Sequence, residues 1–213
     1  LLQMLKKDWR DTMSTTEPIR NTIELSRFMD YYKTECANHR NYAMIMLGLY
    51  SALRISDILN LKWSDIYDFK GRKIKSAVTV KEQKTGKINN FALNNHIQQA
   101  LSLYLRKKSI SADEYVFCQR LHPNKPICRS QAYRIVRKAA NATVFNESHI
   151  SCHSLRKTFG YHAWKQGIPP ALLMDIYNHS SYKVTKKYLG ISQDERNSVY
   201  LKLDYSNEGF TNS

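Results

Sequence analysis

The sequence predicts a mainly α-helical domain with a small antiparallel β-sheet, an α+β fold. Three observations carry that expectation. Apolar residues recur at three- and four-residue spacing through most of the chain, the mark of helices with one buried face. One stretch, residues 73–93, instead places two apolar runs (Ile74, Val78, Val80 and Ile88, Phe91, Leu93) on either side of Lys84-Thr85-Gly86-Lys87, a hairpin signal in which Gly86 takes the positive φ of the turn. Finally, 213 residues of which 42% are hydrophobic suffice for one sizeable core.

The elements follow in chain order. Residues 1–18 are polar and mixed and end in Thr15-Thr16-Glu17-Pro18, turn residues before a proline, so they read as a linker or arm. The first residue is Leu1, not Met, which fits a piece of something longer. From Ile19 the spacing of Ile23, Leu25, Phe28, Met29 and Tyr32 predicts a helix. A second helix, over 42–53, is apolar on nearly every side and belongs at the centre. Ser56 is placed to cap a short third helix whose Ile55, Ile58 and Leu59 face the core, with Arg54 and Asp57 on another side. After the hairpin, Ile97, Leu101, Leu103, Tyr104 and Leu105 restore the helical period; residues 115–117 read as a short strand and the region of Pro123 and Pro126 as a loop. Helices are expected over 130–141, 154–166 (stopped by Gly167), 170–177 and 181–189. Residues 19–191 thus form the domain. Residues 192–213 form a tail with a turn or two of apolar spacing before polar residues.

Composition narrows the function. The formal charge of +15, from 33 Lys and Arg against 18 Asp and Glu, attracts polyanions, and nucleic acid is the natural partner, although a solvated lysine-rich surface gives the same count. Four cysteines (Cys36, Cys118, Cys128, Cys152) lack CxxC spacing and read as buried, reduced thiols in a cytoplasmic protein. A zinc set of Cys118, His122, Cys128 and Cys152 has irregular spacing, and no metal is expected. No apolar run approaches the ~20 residues that cross a bilayer, so no membrane partner is expected.

The chemistry lies in the order of a few side chains. Direct displacement at a phosphodiester needs an in-line nucleophile, cations on the non-bridging oxygens and a proton donor for the departing oxygen. Arg54 and Arg156 suit the oxygens, because a guanidinium is always charged and its fork matches phosphate. His153 lies three residues before Arg156, so on a helix both can reach one anion. Tyr188, nine residues after His179 and in a segment bearing Lys183, Lys186 and Lys187, is the candidate nucleophile; His153 or His179 would accept or share its proton. Taken singly, each has a plainer reading. Arg54 would pair with Asp57 on the surface, a histidine would be solvated, and Tyr188 is one of 14 tyrosines.

Taken together, Leu53-Arg54-Ile55-Ser56-Asp57-Ile58-Leu59 with Leu61-Lys62-Trp63-Ser64-Asp65, then Lys84-Thr85-Gly86-Lys87, His153-Ser154-Leu155-Arg156-Lys157-Thr158-Phe159, and His179-Ser180-Ser181 with Thr185 and Tyr188-Leu189 resemble the tyrosine recombinases, the phage-integrase family. The resemblance runs from about Pro18 to Leu203. It implies the catalytic-domain fold of that family and a site-specific recombinase of a mobile element that cuts and rejoins DNA through a 3'-phosphotyrosyl bond at Tyr188. Arg54 and Arg156 would clamp the phosphate, His153 and His179 would bond its oxygens and handle the proton, and Lys84 would protonate the leaving 5' oxygen. Lys81 and Lys87 are rivals for Lys84 if the hairpin register differs. Asp57 would support the site by orienting Arg54 or the hairpin. Neither ATP, metal nor other cofactor is implied. Double-stranded DNA is the implied partner, with protomers forming a homotetramer on it, the segment from Ser192 docking on a neighbour, and a monomer in its absence. Asn178 stands where the family usually has Gly before the second histidine, and asparagine tolerates left-handed backbone. Too few residues precede Pro18 for the N-terminal clamping domain of such integrases, which implies a catalytic fragment or a short single-domain recombinase. The alternatives are a type IB topoisomerase-like nicking-closing enzyme and a non-catalytic DNA-binding regulator derived from a recombinase.

Overall fold

A computed structural model describes residues 16–106, 108–189 and 200–202. The expected arm at 1–18 lies outside the described residues except for 16–18, and the expected tail at 192–213 except for 200–202. Helix α1 spans Thr22–Asp30; its N-cap Asn21 accepts from the Ile23 and Glu24 amides, which starts the helix three residues after Ile19. Helix α2 spans His39–Tyr50 and is capped by Asn38, whose side chain accepts from the Asn41 amide. Every residue from Asn41 to Leu49 in it is buried. It packs against α1, against α5 (Asn95–Leu105) and against α7 (Cys152–Lys165), so it is the central helix that its apolar sequence demands.

Helix α3 is Ile55–Leu59, and its N-cap is Arg54, with no side-chain cap; Ser56, expected there, lies within the helix. Helix α4 is Trp63–Ile66, where the Asp65 carboxylate accepts from the Lys62 amide. The expected small antiparallel sheet takes the form of three two-stranded pairs: β1 (Tyr67–Asp68) with β2 (Lys73–Ile74), β3 (Ala77–Lys81) with β4 (Ile88–Ala92), and β5 (Cys118–Gln119) with β6 (His122–Pro126). In the longest pair Val78 faces Phe91 and Lys81 faces Ile88, and Gly86 in the turn has φ 68°, as its sequence predicts.

The region of Pro123 and Pro126, expected as a loop, is strand β6. Proline is tolerated because a two-stranded ribbon leaves one edge free of ladder bonds, and the Pro123 carbonyl accepts from the Tyr115 amide. Tyr115 makes an isolated bridge with Lys62, so the pairing expected at 115–117 begins there but its strand runs later, at Cys118. Helix α6 spans Arg129–Thr143, then come a 3-10 turn at Glu147–His149, α7, α8 (Pro170–Ile176) and α9 (Tyr182–Leu189).

The main core gathers Phe28, Leu47, Ile58, Trp63, Leu101 and Val136 from six helices. A smaller cluster of Ala52, Leu173, Tyr177 and Leu189, with Phe159 and Tyr188 packed on it, joins α7, α8 and α9. Tyr188, packed on this second cluster, also lines the candidate site.

Candidate active site

Arg54 is placed by a break in the chain. Helix α2 ends at Tyr50, Ala52 takes the left-handed φ of 56°, and Arg54 follows in extended geometry as the N-cap of α3. Its Nη1 donates to Glu82 Oε2 at 2.6 Å, while the Arg54 side chain stays 14% exposed and the Glu82 side chain is fully buried. Arg54 is therefore held by an ion pair with Glu82, in place of the expected pairing with Asp57. Asp57 points inward on α3, only 1% exposed, and its Oδ1 accepts from the Gln83 amide at 2.9 Å. Of its two expected duties, contact with the hairpin is the one seen. Its Oδ2 is buried with no partner among the described residues.

Ser151 and Ser154 form the reciprocal cap that opens α7. Arg156, one turn in, is almost wholly buried. Its Nη1 donates to the Ala52 carbonyl and its Nη2 to the Tyr177 carbonyl at 2.7 Å, while the Tyr177 hydroxyl donates back to the Arg156 carbonyl at 2.7 Å. The guanidinium lies over the Tyr177 ring, 4.5 Å from its centroid. Tyr177 comes this close because position 160 is glycine: a Cβ there would strike the tyrosine hydroxyl. Two of five guanidinium N–H groups are thus used, and the Nε is buried with no partner among the described residues. His153, three residues earlier on the same helix, is exposed.

Helix α8 ends at Ile176, and Asn178 adopts φ 54°, the left-handed geometry its sequence allows. His179 then closes the turn, its amide donating to the Met174 carbonyl. Its ring stacks on Tyr177 (centroids 5.0 Å, 22°) and meets Tyr188 edge-on (4.8 Å, 63°). His179 Nδ1 shares a hydrogen bond with the buried Thr185 Oγ1 at 3.0 Å. Thr185 and Tyr188 lie three apart on α9, so one helix face both fixes the histidine and presents the phenol. The half-buried Tyr188 ring has the Arg156 guanidinium 5.9 Å from its centroid and the Lys157 ammonium at 5.9 Å.

These groups border one open cleft of about 780 Å³, lined among others by Arg54, Lys84, Arg129, His153, His179 and Tyr188. Arg156 lies behind the lining, under Tyr188. Lys81 and Lys87, the rivals of Lys84, do not line this cleft. The hairpin register thus brings Lys84 to the cleft that Arg54, His153, His179 and Tyr188 line, with Arg156 behind Tyr188.

The field of the cleft is positive. Burial first, then the charge of Arg54, lowers the Arg156 pKa, so two guanidiniums stand in each other's field and an anion between them relieves the repulsion. Desolvation, followed by Arg156, Arg129 and Lys157, lowers the His153 pKa even though the residue is exposed. Burial, then Arg156 and Arg54, lowers that of His179 to about 4, so its ring is neutral at pH 7. Glu82 is pushed up by burial, but hydrogen bonds from Thr85, Asn178 and Arg54 and the Arg54 charge outweigh that and hold it at about 2. Burial raises Asp57, against the opposing Gln83 bond.

The signs give an acid prediction. His179 and Glu82 both have native pKa values below their ordinary 6.5 and 4.5, so each contributes stability that is full above the ordinary value and lost as pH falls through the native one. The urea midpoint should fall in two stages on acidification, from about 6.5 to 4 and from about 4.5 to 2. His179→Gln should shrink the first stage, to which His153 with its lowered pKa also contributes, and Glu82→Gln should shrink the second.

Sequence reasoning missed Glu82 and Tyr177. The first carries one signal, a lone acid in a lysine-rich hairpin; the second carries none beyond its helical spacing. The thiols also differ from expectation, since only Cys118 is buried and Cys128 is exposed. Among the described residues no group of three or more His, Cys, Asp or Glu side chains is arranged to hold a metal, and no helix is long and apolar enough to cross a membrane.

The fold and the composition of the cleft define the class: a tyrosine recombinase catalytic domain. The pattern of the phage integrase family matches residues 21–195, and the chain belongs to that family. It is 36% identical over 188 residues to the probable integrase/recombinase YoeC of Bacillus subtilis (strain 168), covering 88% of this chain and 97% of that one. It is 28% identical over 168 residues to a tyrosine recombinase of Pseudothermotoga lettingae, covering 78% of this chain and 54% of that protein, about half its length. Its fold is similar to that of the XerA recombinase, with a TM-score of 0.70 at 21% identity over 90% of this chain and 68% of the other.

Proposed function

We propose that this chain acts as a site-specific DNA recombinase or integrase, with Tyr188 attacking the scissile phosphate. The carrying observation is the convergence of Arg54, Lys84, His153, His179 and Tyr188 on one cleft, with Arg156 beneath the Tyr188 ring. In the proposed step the Tyr188 oxygen forms a bond to phosphorus and the bond from phosphorus to the 5' oxygen breaks. The phenolic proton passes to His179 or His153, and Lys84 gives a proton to the departing 5' oxygen. A neutral histidine at pH 7 suits the accepting role. Arg54 and Arg156 bear the charge on the non-bridging oxygens, and the Arg156 Nε, buried and with no partner among the described residues, leaves that guanidinium with donor capacity unspent. The 3'-phosphotyrosyl ester keeps the bond energy, so a 5' hydroxyl can reverse the step without ATP.

Double-stranded DNA is the proposed substrate, held largely through phosphate contacts and therefore salt-sensitive. Pairing of protomers into a tetramer on DNA, a monomer off it and a cytoplasmic location belong to the same reading. A product assay tests it. Exchange between two copies of a defined site supports recombination. Relaxation of any supercoiled plasmid without exchange would indicate a topoisomerase-like enzyme, and binding with neither product a regulator.

A further inference from the structure

The hairpin carboxylate Glu82 is the best-satisfied buried charge among the described residues, and its bond to Arg54 is one of four that it accepts. Its Oε2 accepts from Arg54 Nη1 at 2.6 Å and Thr85 Oγ1 at 2.7 Å, and its Oε1 from Asn178 Nδ2 at 3.2 Å and Asn89 Nδ2 at 3.4 Å. These four donors belong to different parts of the site. Arg54 opens α3, Thr85 follows Lys84 in the turn, Asn178 precedes His179, and Asn89 on β4 also donates to the Ile176 carbonyl at the end of α8.

We propose that Glu82 is a positioning residue, a buried junction that locks Arg54, the Lys84 turn and the His179 turn into one register. The inference rests on the Tyr188-centred reading above. The rival idea is that Glu82 merely occupies Arg54 until a phosphate displaces it. Its burial argues otherwise: the side chain is 0% exposed, and losing Arg54 would leave a carboxylate with only neutral donors in a dry site, at high cost. Arg54 has further N–H groups to offer the cleft while one stays on Glu82. Asn178 supports the same conclusion. Glycine would fit φ 54° without strain, but only a side chain can reach Glu82. The asparagine thus accepts a strained backbone and ties the turn before His179 to the hairpin.

The test uses Glu82→Gln and Asn178→Gly in the full chain, with single-turnover cleavage of a nicked duplex pool of randomised core sequence, pre-enriched for species that the parent protein traps covalently. Each duplex is made with oxygen or with sulfur as the 5' leaving atom, because sulfur departs without a proton donor. Glu82→Gln should slow cleavage of the oxygen substrate by about ten-fold or more and Asn178→Gly by about three- to ten-fold, with DNA affinity within about three-fold of the parent. For both, the sulfur substrate should recover part of the loss, since only the Lys84 contribution is bypassed. Parental rates in both variants, or equal loss on oxygen and sulfur, would overturn the proposal. If Glu82→Gln does not fold, Asn178→Gly decides, because glycine adds no strain at that φ. Tyr188→Phe is run beside them: a surviving adduct there refutes the Tyr188 reading, whatever the Glu82 variants do.

Discussion

Tyr188→Phe should abolish the covalent protein–DNA adduct and lower strand cleavage by at least ~10⁴-fold, the order by which loss of a nucleophile disables a covalent catalyst. DNA binding should change by less than about three-fold, since phosphate contacts supply most of the affinity. The fold should survive as well. The Tyr188 ring is half-buried on the cluster of Ala52, Leu173, Tyr177 and Leu189, and phenylalanine keeps that surface and the edge contact with His179. Among the described residues the hydrogen bonds through His179, Thr185, Arg156 and Tyr177 do not involve the Tyr188 hydroxyl. Parallel measurements of adduct, binding and unfolding midpoint separate loss of chemistry from loss of structure.

Arg156→Ala should affect both. In cleavage it should cost ~10²–10³-fold, the scale of one lost donor to a transition-state oxyanion. In stability it should cost about 2–4 kcal/mol, because the Ala52 and Tyr177 carbonyls lose their donors in the interior and each orphaned buried group costs ~1–3 kcal/mol. Arg156→Lys sharpens the test. Lysine keeps the charge but has no planar fork that reaches two carbonyls while stacking on Tyr177. It should regain part of the stability and little of the cleavage. An Arg156→Ala protein with parental midpoint and rate would remove this guanidinium from the site.

Most of the architecture was legible where a periodic pattern met a clear terminator. The helix expected at 130–141 is α6, Arg129–Thr143, and that at 181–189 is α9, Tyr182–Leu189, because one face of each is apolar and the other is not. The hairpin was legible from Gly86, whose turn demands positive φ, and the left-handed turn before His179 from an asparagine that tolerates it. Helix α2 was misplaced by three residues at each end, 42–53 against His39–Tyr50. A nearly all-apolar run has no period to mark its limits, and the decisive residues were the Asn38 cap before it and the left-handed Ala52 after it.

Within the site, Arg54, His153, Arg156, His179 and Tyr188 stand out by order and residue type and Lys84 by the resemblance alone; all but Arg156 line one cleft. Their supports were not legible. Arg54 and Asp57, three apart, look like a helical ion pair, yet Arg54 lies outside the helix as its N-cap and Asp57 points inward to Gln83. Glu82 reaches Arg54 across 28 positions of sequence, and Tyr177 stacks on Arg156 across 21; such contacts depend on tertiary packing that no local spacing encodes. Asn178 was read as a tolerated departure in backbone terms, whereas its side chain is also a tie to Glu82.

The most direct measurement locates the covalent bond itself. A nicked duplex that loses its 5' fragment on cleavage traps the adduct, and tandem mass spectrometry of the digested complex identifies the modified residue. The expected result is a 3'-phosphate ester on Tyr188 alone, lost in Tyr188→Phe. A nucleotide attached to another side chain, such as Tyr182 on the same helix, would contradict it, as would tight binding with cleavage that leaves no covalent protein.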